Sequence, residues 1–296
     1  MASTKLAWQS KTVLLIVVPF VGAGLVLQAH WWATQSYPVA VWAIGLSLLL
    51  ALVVFKMRAA TPAGAFTGAL ITASLMFSTA VFPYQPWDSA MPSVLAVSLL
   101  AWIATRIGRA RKERLGTAED RRGRSAAQVA ANLGVAALVC SEVMQSWLSD
   151  THFASRATAL PVSMFMVGVA ALAEAAADTV SSEIGQVLGG RPRLITSLRV
   201  VDPGTDGAVS LAGTLAGIVV AGIVAGIGTL TLHGDARFFG ISTAGAVFGL
   251  LFDSLLGATV ERRGWLNNDA VNFLSTASAA GFALGLIAVM ARFGLG

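Results

Sequence analysis

The sequence predicts an all-α protein, a polytopic bundle of transmembrane helices, and two observations support that class. Hydrophobic residues make up 56% of the 296-residue chain and charged residues 12%, about half the charged share of a typical soluble domain. Apolar runs near twenty residues, the length that a bilayer core of about 30 Å requires, recur along the chain. Only helices are expected in these runs, because a lipid-exposed backbone must satisfy its own hydrogen bonds.

About nine such runs are predicted to cross the membrane as one integral-membrane domain over residues 1–296, with N-terminal spans in residues 1–105 and a catalytic core in residues 106–296. The first run follows Lys5 and Lys11 in the manner of a signal peptide. It is long enough to span, and no clear cleavage site follows it, so we expect a retained helix. The predicted spans are Thr12–Ala29, Pro38–Phe55, Ala63–Phe82, Met91–Ile107, Ala126–Trp147, Ala157–Ala177, Val209–Leu232, Phe238–Val260 and Phe273–Arg292.

The basic residues predict which side of the membrane each span end faces. All but three of the 20 Lys and Arg residues lie at one set of span ends, and the exceptions are Arg156, Arg237 and Arg292. By the positive-inside rule, the majority side is cytoplasmic. We therefore expect a cytoplasmic N-terminus. The net charge of +5 then reflects topology rather than nucleic-acid binding.

The few cysteine and histidine residues limit the metal chemistry that the cytoplasmic side can support. The single cysteine, Cys140, excludes an internal disulfide framework and a cysteine-based metal centre. The three histidines, His30, His152 and His233, fall on the predicted outer side. A metal site on the cytoplasmic side would therefore have oxygen ligands, which suits Mg²⁺ or Mn²⁺.

One stretch between two apolar runs, residues 174–217, concentrates carboxylates, guanidiniums and glycines. Glu174 and Asp178 are four residues apart, so they share a helix face at the cytoplasmic end of the sixth span. Burying either carboxylate is costly unless a cation neutralises it. A bound divalent ion is one compensation. The alternative is pairing with the arginines of the adjoining loop, namely Arg191, Arg193 and Arg199.

Polar residues from later spans are expected at the same membrane face. Glu183 follows the sixth span, Asp253 lies near the end of the eighth, and Asn268 and Asn272 lie where the ninth begins. A transporter more often places such groups near the bilayer midplane. Clustering at one end favours an interfacial enzyme that acts on a lipid head group with a soluble cytoplasmic co-substrate.

The loop P-G-T-D-G-A-V-S, which opens the seventh span, has the composition of a phosphate-binding turn. Gly204, Thr205, Gly207 and Ser210 lie at a helix N-terminus, where free amides, hydroxyls and the helix dipole favour a phosphate. Carboxylates beside such a turn, including Asp206 within it, are the recurring arrangement for phosphoryl transfer.

A basic cluster precedes the fifth span. Arg124 comes just before Gln128 and Asn132, which share one helix face, and amides inside a membrane helix usually face the protein interior. We interpret these three residues as candidates for binding the phosphate head of a lipid substrate. The alternative is a solvated loop on an anionic leaflet.

Four blocks of sequence carry a family resemblance: D-T-V-S-S-E-I-G (178–185), G-G-R-P-R (189–193), P-G-T-D-G-A-V-S-L-A-G-T-L-A-G (203–217) and D-S-L-L-G-A-T (253–259). They resemble the phytyl-phosphate kinase family of integral membrane proteins and, more distantly, dolichol kinase and other CTP-using lipid enzymes. The resemblance covers roughly residues 106–292. It implies phosphoryl transfer from a nucleoside triphosphate, with CTP favoured, to an isoprenyl monophosphate such as phytyl phosphate, for tocopherol or related prenyl-lipid synthesis.

The roles that follow from this resemblance fall into three groups. Mg²⁺ or Mn²⁺ would be bound by Glu174, Asp178, Glu183, Asp206 and Asp253, of which the last four are the catalytic candidates. The nucleotide would be bound by Arg191, Arg193, Gly204, Thr205, Ser210, Asn268 and Asn272. The isoprenyl phosphate would be bound by Arg124, Gln128 and Asn132. Membrane lipids are the other expected partners, nucleic acid is not, and the oligomeric state is open.

Three alternatives to this function stay open. A CTP-dependent prenol kinase would phosphorylate the alcohol, with one carboxylate as base. A lipid cytidylyltransferase would keep the nucleotide on the lipid and release pyrophosphate. A membrane transporter or scaffold would show no turnover.

Overall fold

The computed structural model describes residues 6–149 and 160–293, which form a helical bundle with one short pair of strands. The predicted all-α class is confirmed. The expectations for Lys5, His152 and Arg156 lie outside the described residues. The helices are α1 Trp8–Gln35, α2 Tyr37–Lys56, α3 Pro62–Thr79, α4 Met91–Arg106, α5 Arg109–Leu115, α6 Ala126–Cys140, α7 Glu142–Ser149, α8 Leu160–Leu188, α9 Leu211–Thr231, α10 Ala236–Leu256 and α11 Asn268–Arg292. Strands β1 Arg193–Leu194 and β2 Ala208–Val209 pair antiparallel, and a π-helical turn, Gly257–Glu261, follows α10.

Six helices among the described residues, α1, α2, α8, α9, α10 and α11, are long and apolar enough to cross a membrane. The number rises to eight if each bent pair counts as one span: α4 with α5, bent by 68°, and α6 with α7, bent by 52°. The predicted number of nine spans is therefore not confirmed. The described helix that belongs neither to these six nor to a bent pair is α3, which has 18 residues.

Several helices do not end where the predicted spans end. The predicted fifth span, which ends at Trp147, contains a bend of 52°, because α6 ends at Cys140 and the chain continues as α7. Helix α8 continues past Ala177, the predicted end of the sixth span, to Leu188, and α11 begins at Asn268, before the predicted start of the ninth span. Because of these extra helical turns, polar residues that were expected in loops lie on rigid helices instead.

Helix α8 is the centre of the bundle. It packs against α4, α6, α9, α10 and α11. In the most apolar stretch of α8, 83% of the residues are buried, whereas in the most apolar stretch of α1 only 22% are. Helix α8 is therefore central and α1 peripheral. Residues 170–178 read A-A-L-A-E-A-A-A-D, and such small side chains let neighbouring helices approach closely in a membrane.

Glycines bring α9 and α10 directly against α8. A Cβ atom on Gly213 of α9 would lie 2.6 Å from the backbone oxygen of Ser181, and one on Gly249 of α10 would lie 2.6 Å from Cγ of Glu174. Neither position has room for a larger residue. The polar ends of α8, α9 and α10 are consequently held within a few ångströms of one another.

The loops that carry most of the basic residues lie together at one end of the bundle, which we call the basic end. It holds the start of α1, the α2–α3 turn and the segments that follow α4, α8 and α10. Asn267 Nδ2 donates to Ser10 Oγ at 2.8 Å, and the amide of Thr61 donates to the Arg124 carbonyl at 3.0 Å. The arrangement agrees with the predicted alternation of the helices, while the side of the membrane that this end faces stays a prediction.

Candidate active site

A polar cavity of about 200 Å³ lies at the basic end, where α8, α10, α11, the π-helical turn and the segment 192–210 meet. We call it the acidic cavity. Its walls carry four carboxylates, Asp178, Asp206, Asp253 and Glu261, and two side-chain amides, Gln186 and Asn268. Gly204, Thr205 and Ser210 also line it. Residues that are far apart in the sequence, and that were predicted to act together, therefore share one site.

The carboxyl groups of Asp178 on α8 and Asp253 on α10 are adjacent in this cavity. Oδ2 of Asp253 is buried and has no hydrogen-bond partner among the described residues. Neighbouring carboxylates repel each other, and a buried charge without a partner is costly. The pair therefore favours a bound cation.

Glu174 lies one helical turn deeper, on the same face of α8. It is 1% exposed, and both of its carboxylate oxygens are buried without a hydrogen-bond partner in the described part of the chain. Glu174 does not line the acidic cavity. The predicted metal ligand Glu174 therefore lies beneath Asp178 and Asp253 rather than at the cavity surface.

The turn 203–207 lines the cavity and has backbone amides without an acceptor in the described part of the chain. Gly204 and Gly207 have φ angles of +88° and +71°, the left-handed region that glycine adopts without strain. The amides of Gly204, Asp206 and Gly207 donate no hydrogen bond within residues 6–149 and 160–293. Successive free amides in such a turn form an anion-binding concavity, so the backbone of this turn can bind phosphate.

Two hydroxyl groups predicted to bind phosphate are already engaged by the protein. Thr205 Oγ1 donates to the Asp202 carbonyl at 2.7 Å. Ser210 Oγ accepts from the Gly213 amide at 3.1 Å and caps α9. These side chains shape the turn and the helix start, while the free amides provide the donors.

Replacing Gly207 by Ala is expected to displace this turn. The added Cβ would lie 2.1 Å from the backbone nitrogen of Ala258 in the π-helical turn, and the positive φ adds strain of about 1–3 kcal/mol. We expect a lower melting temperature and a higher KM for the nucleotide. Gly190→Ala is the matched control, because Gly190 has φ +62° but nothing within 4 Å of the added atom. Equal effects in the two variants would contradict the role of the Gly207 contact.

The donor set fits Mg²⁺ held together with phosphates better than a site built from protein ligands alone. No three His, Cys, Asp or Glu side chains converge on one point within the described ranges. Mg²⁺ is usually bound by one or two carboxylates, several waters and substrate phosphates. Asp178 and Asp253, beside the free amides of the turn, match that mode.

Comparison with known proteins places the chain in a family. Residues 45–280 match the family described as integral membrane protein DUF92. The chain belongs to this family. The resemblance predicted from the four blocks is thereby confirmed, and it begins earlier than expected, inside α2. No solved structure matches the chain.

Three relatives of this DUF92 protein illustrate the range of the family. The uncharacterized membrane protein MJ0933 of Methanocaldococcus jannaschii is 46% identical over 108 residues, which are 36% of this chain and 45% of the relative. The uncharacterized membrane protein sll0875 of Synechocystis is 32% identical over 205 residues, 65% and 72% of the two chains. Protein VTE6, chloroplastic, of Arabidopsis thaliana is 30% identical over 186 residues, which are 62% of this chain and 54% of the relative. The chain thus spans about half the length of the archaeal and plant relatives.

Glu183 is not at the cavity of this DUF92 protein, because it pairs with a lysine. Lys112 is 1% exposed, and its Nζ donates to Glu183 Oε2 and to the carbonyls of Ala104 and Thr105, at 3.0 and 2.8 Å. The assignment of Glu183 to the metal is therefore corrected. The alternative of carboxylate pairing holds for this residue, but with Lys112 of α5 rather than with the arginines of the loop after α8.

Three residues predicted to bind nucleotide do not line the acidic cavity. Arg191 is exposed, and Arg193 lies in β1 with Nη1 donating to the Leu198 carbonyl at 2.8 Å. Asn272 is one helical turn further along α11 than Asn268. Of the predicted nucleotide ligands, the structure brings Gly204, Thr205, Ser210 and Asn268 to the cavity and leaves these three outside it.

The three residues predicted to bind the lipid phosphate have separate tasks. The Gln128 side chain completes the capping box of α6 with Ser125 and donates to Glu119 at 3.3 Å, so its assignment as a ligand is corrected. Arg124 and Asn132 line a second cavity, on the other side of α8 and α6 from the first. Arg124 also reaches α8, where its Nη2 donates to Thr179 Oγ1 at 3.2 Å.

Glu261 is a cavity residue that the sequence did not single out. It ends the π-helical turn, and a π-helical turn inside a helix often marks a functional site. In the sequence, Glu261 lies within G-A-T-V-E-R-R (257–263), which follows D-S-L-L. If this segment simply continued the α-helix, Glu261 would not be expected near Asp206 and Asp253.

Proposed function

We propose that this protein is a membrane phosphotransferase that transfers the γ-phosphoryl group of a nucleoside triphosphate, CTP favoured, to an isoprenyl monophosphate such as phytyl phosphate. The product is the prenyl diphosphate used for tocopherol or related prenyl lipids. The family membership and the similarity to protein VTE6 support a role in prenyl-lipid metabolism. The proposal for the reaction itself rests on the acidic cavity.

One observation carries the proposal. Asp178 and Asp253 meet beside a turn with free amides, at the basic end of the helical bundle. Carboxylates next to an anion-binding backbone suit a metal-bound polyphosphate. A site at the end of the bundle is reached from water by a nucleotide and from the bilayer by a lipid phosphate.

The turn 203–207 binds the β- and γ-phosphates of the donor through the amides of Gly204, Asp206 and Gly207. Asp178 and Asp253 are the residues that would hold Mg²⁺, which would supply charge neutralisation for the transferred group. Asn268, at the first position of α11, orients the nucleotide. Asp206 and Glu261 hold water molecules at the cavity wall.

The acceptor needs little activation, because a phosphate monoester is largely dianionic at neutral pH. An oxygen of the prenyl phosphate attacks the γ-phosphorus and forms the new P–O bond. The bond from the γ-phosphorus to the β–γ bridging oxygen breaks, and the nucleoside diphosphate leaves with that electron pair. The demands on the protein are positioning and electrostatic stabilisation, so the lack of a histidine among the described residues of the basic end is no obstacle.

The acidic cavity faces the cytoplasm in this proposal. The basic end carries the arginine-rich segments between α4 and α6 and after α8, and the positive-inside rule assigns such segments to the cytoplasmic side. The nucleotide is then available at that face. The partners are an isoprenyl phosphate and the surrounding lipids.

The test is a turnover assay with the purified protein in nanodiscs, Mg²⁺, either phytyl phosphate or phytol, and CTP or ATP labelled at either the α- or the γ-phosphate. We expect the γ-label on a prenyl diphosphate and no α-label on any lipid. A lipid carrying the α-label would support a cytidylyltransferase instead, and labelling of phytol but not of its monophosphate would support a prenol kinase. No turnover with any nucleotide would overturn the proposal in favour of a transporter or scaffold.

A further inference from the structure

A second cavity, of about 370 Å³, lies between α2, α3, α4 and α6 at the basic end. We call it the arginine groove. Its apolar walls come from α2 and α4, and its floor is α3, where small residues leave space. The walls include Leu50 and Val54 of α2 and Val97 and Ala101 of α4, and the floor includes Gly64 and Gly68 of α3. At Gly68, an added Cβ atom would meet only Val129, at 3.7 Å, so the space above the floor is open.

Five arginines line the mouth of the groove: Arg58, Arg106, Arg109, Arg121 and Arg124. Arg109 and Arg121 both pair with Glu113: Arg109 Nε and Arg121 Nη2 each lie 3.1 Å from its Oε1 atom. The other three have no carboxylate within 4.0 Å in the part of the chain that the structure describes. The mouth of the groove is therefore strongly positive.

The carboxylates at the mouth do not cancel this charge. Asp120 is paired with Arg122, whose hydrogen bonds hold the pKa of Asp120 down at about 2. Glu119 accepts a hydrogen bond from Gln128 at 3.3 Å. Inside the mouth, Nε1 of Trp102 is buried without a hydrogen-bond partner among the described residues. The guanidinium of Arg106 lies 4.3 Å from the centre of the Trp102 ring.

Arg124 lies between the arginine groove and the acidic cavity. Its backbone is held at both polar groups, since its amide donates to the Ala59 carbonyl and its carbonyl accepts from the Thr61 amide, each at 3.0 Å. Its side chain crosses to Thr179 on α8, at 3.2 Å. Thr179 follows Asp178 in the sequence, so the guanidinium that lines the groove also reaches the helix that carries a carboxylate of the acidic cavity.

We propose that the arginine groove binds a single-chain isoprenoid monophosphate, with its chain between α2 and α4 and its phosphate among Arg58, Arg106 and Arg124. An apolar channel with a cationic mouth complements a molecule that has one apolar chain and one anionic head. The nucleotide belongs in the acidic cavity, because the two carboxylates that line the groove are already engaged, Asp120 by Arg122 and Glu119 by Gln128. This inference rests on the proposed function, and it assigns the N-terminal helices α2–α4 a role in binding the acceptor.

The first test is photolabelling with a diazirine-bearing geranylgeranyl monophosphate in nanodiscs, read by peptide mass spectrometry. We expect labels on the peptides that contain Leu50–Val54 and Val97–Ala101, removed by excess geranylgeranyl monophosphate but not by geranylgeraniol. Labels confined to α9–α11, or labels that the alcohol removes equally well, overturn the groove as the phosphate-dependent site. This readout needs no turnover, so it decides about the groove even if the kinase assay fails.

The second test is Gly68→Leu, which fills the groove above α3. We expect KM for geranylgeranyl monophosphate to rise at least about tenfold, with KM for CTP and kcat for the short isopentenyl monophosphate unchanged. Gly222→Leu is the matched control, because it makes the same change in helix α9 at a site with nothing within 4 Å. If Gly68→Leu behaves like Gly222→Leu while the wild type turns over the long acceptor, the groove is overturned and the kinase proposal stands.

Discussion

Replacing Asp253 by Asn is expected to lower kcat for phosphoryl transfer by about a thousandfold, the loss seen when one strong electrostatic contact to a transition state is removed. Asn has the shape of Asp but no charge, so the variant loses its hold on a metal-bound triphosphate. The melting temperature should stay the same or rise, because the change removes one of two adjacent, half-buried carboxylates. The measurements are single-turnover rates and thermal unfolding in the same detergent.

Asp178→Asn should have an effect of the same size, and the double variant should be little worse than either single variant. Groups that act on one ion as a unit are strongly non-additive. Asp202→Asn is the control, since Asp202 is exposed and outside the acidic cavity. Wild-type rates in Asp253→Asn, or an equal loss in Asp202→Asn, would remove the assignment of the carboxylates to the metal.

The second large effect is expected at Lys112. Lys112→Met leaves the Glu183 carboxylate buried without its partner and frees the carbonyls of Ala104 and Thr105. Breaking a buried ion pair from one side costs about 3–5 kcal/mol of unfolding free energy. The variant should therefore unfold at much lower denaturant concentration in mixed micelles, and it should lose activity because the segment that carries Arg124 is no longer anchored to α8.

The double variant Lys112→Met/Glu183→Leu should recover most of that stability, because two apolar side chains can replace a buried ion pair. Arg122→Met is the control for loss of an ion pair in the same segment, since Arg122 is exposed and exposed pairs contribute little. A Lys112→Met variant as stable as Arg122→Met would show that the Lys112–Glu183 pair does not hold α5 to α8.

Much of the candidate site could be predicted because its residues sit at helix ends in recognisable local patterns. Asp178, Asp206, Asp253 and Asn268 were expected at one membrane face, and the structure brings all four into one cavity. The reason is topological. Because the helices alternate in direction across the bilayer, every second loop lies on the same side. Charged residues at the helix ends beside those loops can therefore meet, whatever their separation in sequence.

Other parts of the site depended on contacts that no local pattern encodes. The pairing of Glu183 with Lys112 requires the 68° bend between α4 and α5, where Gly108 at φ +62° packs against Val187 of α8. Glu261 reaches the cavity only because the chain after α10 forms a π-helical turn. The bend packs against α8, and the π-helical turn packs against Gly207 of the turn 203–207; local propensity encodes neither contact.

The sequence by itself determined a helical membrane protein with a basic end, and it identified the carboxylates and the glycine-rich turn that lie there. Hydropathy over twenty residues and the placement of Lys and Arg are local properties, and the bilayer acts on them directly. Only the tertiary structure decided which carboxylates face an open cavity, which one is neutralised by a lysine, and that Arg124 lies between two cavities. Those outcomes depend on how helices bend and cross, because a side chain a few ångströms to either side of a helix face meets a different partner.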